Sequence, residues 1–489
     1  MEESDVGAPG KLVDRIPKTG PAQKIPNVAI ASLRFPFKLT RDQLEAVEEW
    51  VSNGFNGSII YSTGTGKTEI AFECAKRAAS LLLLKDSDTL RNTQLQKIAN
   101  SSEYFFNILF LVPRIVLVEQ NINRLIKYGV PKESIGAYYG ERKEPREITI
   151  STYQSAVNNP DIVRKSNMIV FDEVHLVSDS ASSLRNIFNL LKGTGYQKEA
   201  SKKKLLLGLT ATIDEQDPRY ETILSLMPPV KKYMIKEAVK DKRLAKPIVI
   251  PIKVELEYQE KKMYIEYSEK IKNISRQLST SDPKVISSLL RKGGHSAGLA
   301  RAWFANVKNR KSLLNSAQNK LFAARELITK KHPLERIMVF SETIESIQRL
   351  KVMLQERGTR SELIHSDLRP GQRRKILSEW GKKFFALLSV HTLEIGYDVP
   401  EVSVAIILAS SSNINQMVQR IGRIIRNYQG KQTALIYNIY LSQTNDITTL
   451  KRLKKATDTG RNNLPDRQKI ETELLRKPRI NTNLDEYIV

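Results

Sequence analysis

Seven residues, Ser62-Thr-Gly-Thr-Gly-Lys-Thr68, carry the groups that bind a chain of phosphates. They lie between a short apolar run, Ser58 to Tyr61, and a stretch of good helix formers, EIAFECAKRAA, that begins at Glu69. Strand, glycine-bearing loop and helix is the context of a P-loop. Gly64 and Gly66 let the backbone turn its N–H groups inward, and the following helix adds a partly positive N-terminus. Lys67 supplies a point charge for the β- and γ-phosphates, and the Thr68 hydroxyl suits a Mg²⁺ ligand. The strict pattern has Gly or Ala at position 61 where this chain has Tyr61, yet Thr63-Gly-Thr65-Gly-Lys-Thr68 still fits a nucleotide loop. These residues imply binding of a nucleoside triphosphate.

A P-loop alone leaves kinases, GTPases and motors open. Asp172-Glu173, at the end of the apolar run Met168 to Phe171, narrows the choice. An acidic pair at a strand end can serve metal and water together, Asp172 in the Mg²⁺ shell and Glu173 as polariser of the attacking water. A third constellation is Gln419-Arg-Ile-Gly-Arg-Ile-Ile-Arg426. Its arginines, Arg420, Arg423 and Arg426, recur every three residues along one side of a helix. Such a stripe suits a solvated face, a nucleic-acid contact or charge stabilisation in phosphoryl transfer. The last use makes Arg423 and Arg426 the candidates, acting from across an interdomain cleft.

The elements that must position these groups are legible as apolar runs alternating with helical spacing. Strands are expected at 58–61, 108–113, 147–152, 168–171 and 204–209, and again at 336–340, 385–390, 402–408 and 434–437. This is an α/β pattern of two parallel, doubly wound sheets with ligand sites along the strand ends. Between them the composition shifts. Residues 247–256 read as an extended crossing segment, and 258–330 as a mostly helical insert with fifteen Lys and Arg against five Asp and Glu. That local excess marks Arg291, Lys292, Arg310 and Lys311 as candidate phosphate-backbone contacts. Trp303 and Phe304 within it are expected to pack the insert's core.

The whole chain of 489 residues has a net charge of +25, which points to a polyanion such as nucleic acid. No apolar run reaches membrane-spanning length, and the N-terminus lacks an apolar signal core, so no membrane partner or secretion is expected. The single cysteine, Cys74, excludes an intramolecular disulfide framework and favours an intracellular location. No His/Cys cluster has zinc spacing.

Taken in order, TGTGKT, DEVH at 172–175, TAT at 210–212 and QRIGRIIR at 419–426 resemble a superfamily 2 helicase or translocase over residues 37 to 440. Within it the chain is most similar to the XPB branch, without that branch's N-terminal damage-recognition domain. The resemblance implies two RecA-like domains, ATP with Mg²⁺, DNA as partner, 3′-to-5′ movement and a DNA-repair or transcription-linked setting, with a nuclease partner in trans plausible. It implies an adenine clamp at Arg41 and Gln43. It also implies nucleic-acid contacts at Pro113, Arg114, Gln120, Thr152 and Gln154 in the first domain, and at Ser341 and Thr392 in the second. Gly396 and Asp398 resemble the second domain's nucleotide-side motif, Gln419 opens the arginine motif, and His175 is expected to couple the DEVH box to the TAT segment. The basic insert stands where XPB proteins carry a thumb-like module. In the triplet Glu215-Gln216-Asp217 the family's arginine is missing, which leaves open a duplex translocase that does not separate strands, or a nucleotide-gated clamp. The expected organisation is a flexible lead at 1–30, a first RecA-like domain at 31–235, linker and insert at 236–330, a second RecA-like domain at 331–448 and a charged tail at 449–489.

Overall fold

The computed structural model describes residues 28–84, 106–177, 182–192, 204–211, 213, 215, 217–390, 402, 404–408, 422, 424, 425 and 431–457. Its apolar runs form two sheets. The first contains β1 (Asn56–Tyr61), β2 (Ile108–Val112), β3 (Ile135–Tyr139), β4 (Arg142–Glu144), β5 (Ile148–Thr152), β6 (Met168–Asp172), β7 (Leu205–Thr210) and β8 (Pro229–Tyr233). Their spatial order is β4-β3-β5-β2-β6-β7-β1-β8, and only the β3–β4 pair is antiparallel. Every residue of β2, β5 and β7 is buried. That explains why these strands read as continuous apolar runs, since helices cover both faces of a parallel sheet. Because β5, β2, β6, β7 and β1 are parallel neighbours, their carboxyl ends make one rim: Thr152, Val112, Asp172, Thr210 and Tyr61. Ligands of open α/β sheets bind along such a rim.

The second sheet contains β9 (Lys246–Val254), β10 (Ile337–Ser341), β11 (Ser361–Ile364), β12 (Ala386–Val390), β13 (Val404–Ile407) and β14 (Thr433–Leu441). It is wholly parallel, in the order β11-β12-β10-β13-β14-β9. Here the structure corrects the expected boundaries. The extended segment near 247–256 is β9, paired with β14 over nine residues, so the second sheet begins at Lys246. Its prolines, Pro247 and Pro251, made it read as a linker. Lys246 N–H donates inward to Gln432 O at 2.8 Å, and alternate residues point to opposite sides, so both prolines face the open edge. The helix Gln318–Glu326 is likewise part of the second domain, with Leu321, Ala324, Leu327 and Ile328 in its apolar core. Val28, Ala29 and Ile30, placed in the lead by the expected boundary, are buried in the first core. The second domain extends through the helix Ile447–Ala456, whose Leu450 and Leu453 are buried.

What remains of the insert is three helices, Tyr258–Gln277, Pro283–Leu289 and Gly294–Ser316, with their own small core around Ile286, Ala300 and Trp303. Trp303 packs as expected, its indole N–H donating to Ser275 Oγ at 2.8 Å. No helix among the described residues is long and apolar enough to cross a membrane.

A buried ion pair joins these additions to the second sheet. Lys320 Nζ lies 2.6 Å from Asp446 Oδ2, with both side chains at most 2 % exposed. It also donates to Leu408 O at the end of β13, while Asp446 accepts from Leu441 N–H at the end of β14. Removing one partner leaves an uncompensated buried charge. Lys320→Met should therefore destabilise the second domain by about 3–5 kcal/mol. Urea unfolding checks this; an unchanged midpoint would mean that the pair contributes nothing.

Candidate active site

The loop after β1 curls as its glycines require. Gly64 and Gly66 have φ of 86° and 88°, in the left-handed region. Gly66 is needed for space as well, because a Cβ there would lie 2.3 Å from Gln43 Nε2. Gln43 is buried on the helix Arg41–Ser52; its Nε2 donates to Thr65 O at 3.0 Å and its Oε1 accepts from Thr40 N–H at 2.9 Å. It braces the loop from outside. Arg41, two positions earlier on the same helix, is 94 % exposed and paired with Glu45 at 2.9 Å.

Tyr61, the departure from the strict pattern, has a structural reason. Its ring is buried and stacks on Tyr233 with centroids 5.0 Å apart, and its hydroxyl donates to Asp42 O at 2.7 Å. It ties the end of β1 to the neighbouring helix and to β8. Thr65 Oγ1 donates back to Ser62 O at 2.7 Å and stiffens the loop. Thr63 differs: its Oγ1 is buried and has no hydrogen-bond partner among the described residues. An orphaned hydroxyl in a glycine-bearing loop between strand and helix fits a phosphate-bearing ligand.

Lys67 opens the helix Lys67–Leu84 and is buried. Its Nζ donates to Tyr61 O at 3.3 Å and lies 3.7 Å from Glu173 Oε1. Thr68 follows it at the same helix end. Asp172 ends β6, and Glu173 adopts a left-handed backbone with φ 52°, a conformation that costs a non-glycine residue energy and that bends the chain off the strand. Burial, reinforced by the Glu173 charge, pushes the Asp172 carboxyl well above the ordinary carboxylate range, with Lys67 opposing. Two close carboxylates and one lysine are short of positive charge. The hard oxygen donors of Thr68 and Asp172 therefore fit Mg²⁺ in chemistry and in charge.

His175 links two motifs. Its Nδ1 lies 3.0 Å from Thr210 Oγ1, the first residue of the TAT segment, and 3.5 Å from Glu173 Oε2. Burial lowers its pKa, which favours the neutral ring. Tyr153, from the segment after β5, donates its hydroxyl to Asp172 O at 2.7 Å. Nothing in the motif spacing marks Tyr153 for that contact, nor Arg243, whose guanidinium reaches the P-loop from the segment before β9.

The remaining candidates fall into three groups. Arg114 and Gln154 are exposed, Pro113 and Gln120 half-buried, and Thr152 buried as the N-cap of the short helix Tyr153–Asn158. Pro113, Arg114, Thr152 and Gln154 stand at or just beyond the carboxyl ends of β2 and β5, and Gln120 lies in the second turn of the helix Ile115–Lys127. Ser341 is buried at the corresponding end of β10. In the insert, Arg291 and Lys292 are exposed at an outer turn, whereas Arg310 donates to Ser268 Oγ at 3.3 Å and Lys311 pairs with Glu342 at 3.2 Å. Thr392, Gly396, Asp398, Gln419, Arg420, Arg423 and Arg426 lie outside the described residues.

Gly422 is described, and it touches the P-loop. A Cβ on Gly422 would lie 2.4 Å from Thr63 Cβ and 3.0 Å from Thr63 Oγ1. Close by, Ile425 O accepts from Ala245 N–H at 2.6 Å, so the arginine motif is fastened to the start of β9. The center of the QRIGRIIR segment thus meets the TGTGKT loop.

Two family descriptions match the chain: "Type III restriction enzyme, res subunit" over residues 36–215 and "Helicase conserved C-terminal domain" over residues 319–428. The chain is 26 % identical to the DNA 3'-5' translocase XPB2 of Sulfurisphaera tokodaii over 433 residues, 86 % of this chain and 87 % of that protein. It is 24 % identical to the DNA 3'-5' helicase XPB of Mycobacterium tuberculosis over 68 % of this chain and 52 % of that one, so it spans about half of that longer relative. The chain is a superfamily 2 helicase near the XPB branch. Its fold is also similar to the Pyrococcus furiosus Hef helicase domain, with a TM-score of 0.51 at 18 % identity over 85 % of this chain and 99 % of that one. The two-domain parallel-sheet architecture expected from the sequence is thereby shown.

The Gly422 contact yields a direct test. Gly422→Ala must push the two helicase domains apart at the P-loop, and a displacement approaching 1 Å costs on the order of 10²-fold in rate. Steady-state nucleotide hydrolysis should fall by about that factor with the melting temperature nearly unchanged. Wild-type turnover in the variant would mean that the domains do not meet there during the reaction.

Proposed function

We propose that the chain is an ATP-dependent DNA motor that couples hydrolysis in the interdomain cleft to stepping along DNA. The observation that carries this reading is the contact of Gly422 with Thr63, which brings the glycine of the arginine motif in one domain to the phosphate loop of the other. ATP phosphates lie in the loop, with Lys67 as counter-charge and the Gly64–Gly66 amides as donors. Thr68 and Asp172 would hold a bound Mg²⁺, which would supply further positive charge against the triphosphate. Glu173 orients the attacking water, and its position beside Lys67 and His175 supports that role. Arg423 and Arg426 stabilise the charge developing on the γ-phosphate from the second domain. DNA as the track is supported by the net charge, by the exposed residues beside the rim and by the names of the XPB relatives. Those names also favour 3′-to-5′ movement.

The assignment of Glu173 is tested by Glu173→Gln. ATP should still bind, while turnover falls by on the order of 10³, the loss expected when the water-orienting group is removed. Near-normal turnover would remove Glu173 from the mechanism. Polarity is tested with partial duplexes bearing a 3′ or a 5′ single-stranded tail; the reading expects action on the 3′-tailed substrate.

A second reading, translocation on duplex without strand separation, is favoured by the altered triplet. Asp217 is held by Arg219 through Nε at 2.8 Å, and Glu215 pairs with Lys232, so both acids are engaged within their own domain. Failure to separate any tailed duplex, with DNA-stimulated ATP turnover retained, would select it.

The basic insert is proposed as the DNA grip. With its boundary moved to 258–316 it keeps twelve Lys and Arg against four Asp and Glu. Since Arg310 and Lys311 have partners inside the protein, the exposed cations at the outer turn are the better contacts. Replacing Arg291 and Lys292 by Ala should reduce the slope of log affinity against log salt by about 1.5, the sum for two phosphate contacts. Replacing Arg310 and Lys311 should change it less. Equal slopes for wild type and the Arg291/Lys292 variant would rule out backbone contact at that turn.

A further inference from the structure

Arg243 lies in no motif, yet its guanidinium makes three polar contacts at the seam. Its Nη2 donates to Thr65 O at 2.6 Å, and its Nη1 donates to Thr40 Oγ1 at 2.9 Å and to Asp42 Oδ2. The guanidinium is 19 % exposed and stands over the Tyr233 ring, 5.7 Å from its centroid. The backbone launches it rigidly. The helix Ile235–Lys240 ends through Lys242 in the left-handed region, and Arg243 N–H and Leu244 N–H both donate to Ala238 O.

Two residues later the chain belongs to the other domain. Ala245 N–H donates to Ile425 O and Lys246 N–H to Gln432 O, after which β9 is paired along its length with β14. A shift of the second sheet is therefore delivered to Arg243 through a lever of only two residues.

The atom that Arg243 holds is informative. Thr65 O accepts from Arg243 and from Gln43 Nε2, both outside the loop. In a trans peptide the carbonyl and the next N–H point in opposite directions. Fixing the Thr65 carbonyl outward therefore turns the Gly66 N–H toward the phosphate side. Gln43 belongs to the first domain and stays with the loop, whereas Arg243 rides on the hinge.

We propose that Arg243 is a positioning residue that ties the phosphate loop to the segment leading into the second domain, so that domain opening withdraws one of the two donors on the Thr65 carbonyl and loosens the loop's hold on nucleotide. The inference rests on the reading of the loop as an ATP site. It makes product release, rather than the chemical step, the point at which domain movement acts. Lysine cannot replace the fork, because one ammonium cannot span Thr65 O, Thr40 Oγ1 and Asp42 together.

The test is ADP affinity of the full-length protein, read by titrating a fluorescent ADP analogue with and without duplex DNA, beside KM and kcat for ATP. Arg243→Ala should weaken ADP about tenfold, the loss of one charge-assisted hydrogen bond. It should raise KM more than it lowers kcat, and it should abolish the change in ADP affinity that DNA produces in wild type. Arg243→Lys should move the same quantities in the same direction by less, and it carries the test if the alanine variant does not fold. A purely structural role would lower the melting temperature while ADP affinity and its response to DNA stayed at wild-type values; that result would overturn the proposal alone. Absence of ADP binding in wild type would overturn both the proposal and the ATP-site reading.

Discussion

Gly422 and Thr63 approach so closely that no side-chain atom fits between the two helicase domains there. Around this contact the apolar packing is continuous. Ile424 and Ile425 of the second domain share one buried cluster with Ile59, Tyr61 and Ile70 of the first and with Leu244 and Ala245 of the connecting segment. A seam built this way has two consequences. It is dry enough for charges on the phosphate loop to be felt strongly, and it has little compliance, because close-packed interiors transmit displacement rather than absorb it. A phosphate loop at such a seam is sensitive to the angle between the sheets.

The electrostatics of the rim follow from that burial. Asp172 and Glu173 are adjacent acids with Lys67 as the near cation, and the site favours whatever brings positive charge. His175 is kept neutral by burial and spends its Nδ1 on Thr210, so the state of the acidic pair is wired to the end of β7. Tyr153 performs the same service for the end of β5 through the Asp172 carbonyl. The end of β5, which carries the expected nucleic-acid residues Thr152 and Gln154, is thus joined to the acidic pair by a single hydrogen bond.

Much of this was legible in the sequence because a buried parallel strand leaves a plain apolar run, and motifs sit at its end. TGTGKT, DEVH and TAT all fall on the rim of the first sheet. Legibility failed where local signals had two causes. Pro247 and Pro251 suit a linker and an open sheet edge equally, so β9 was read as a crossing segment. Lys320 and the residues beside it looked like the end of a basic insert, whereas that lysine is buried against Asp446, 126 positions further on. Tyr61 looked like a defect in the loop and is a brace between Tyr233 and Asp42. Arg243 left no local signal, since its function depends on three acceptors brought together only by the fold.

The central claim is that nucleotide turnover in this cleft is coupled to DNA. ATP hydrolysis measured at one fixed salt concentration, without nucleic acid and with single-stranded DNA, duplex DNA, forked DNA and RNA, tests it most directly. The account predicts a low basal rate that rises with DNA and responds less to RNA. A rate that is the same in all five conditions would contradict it.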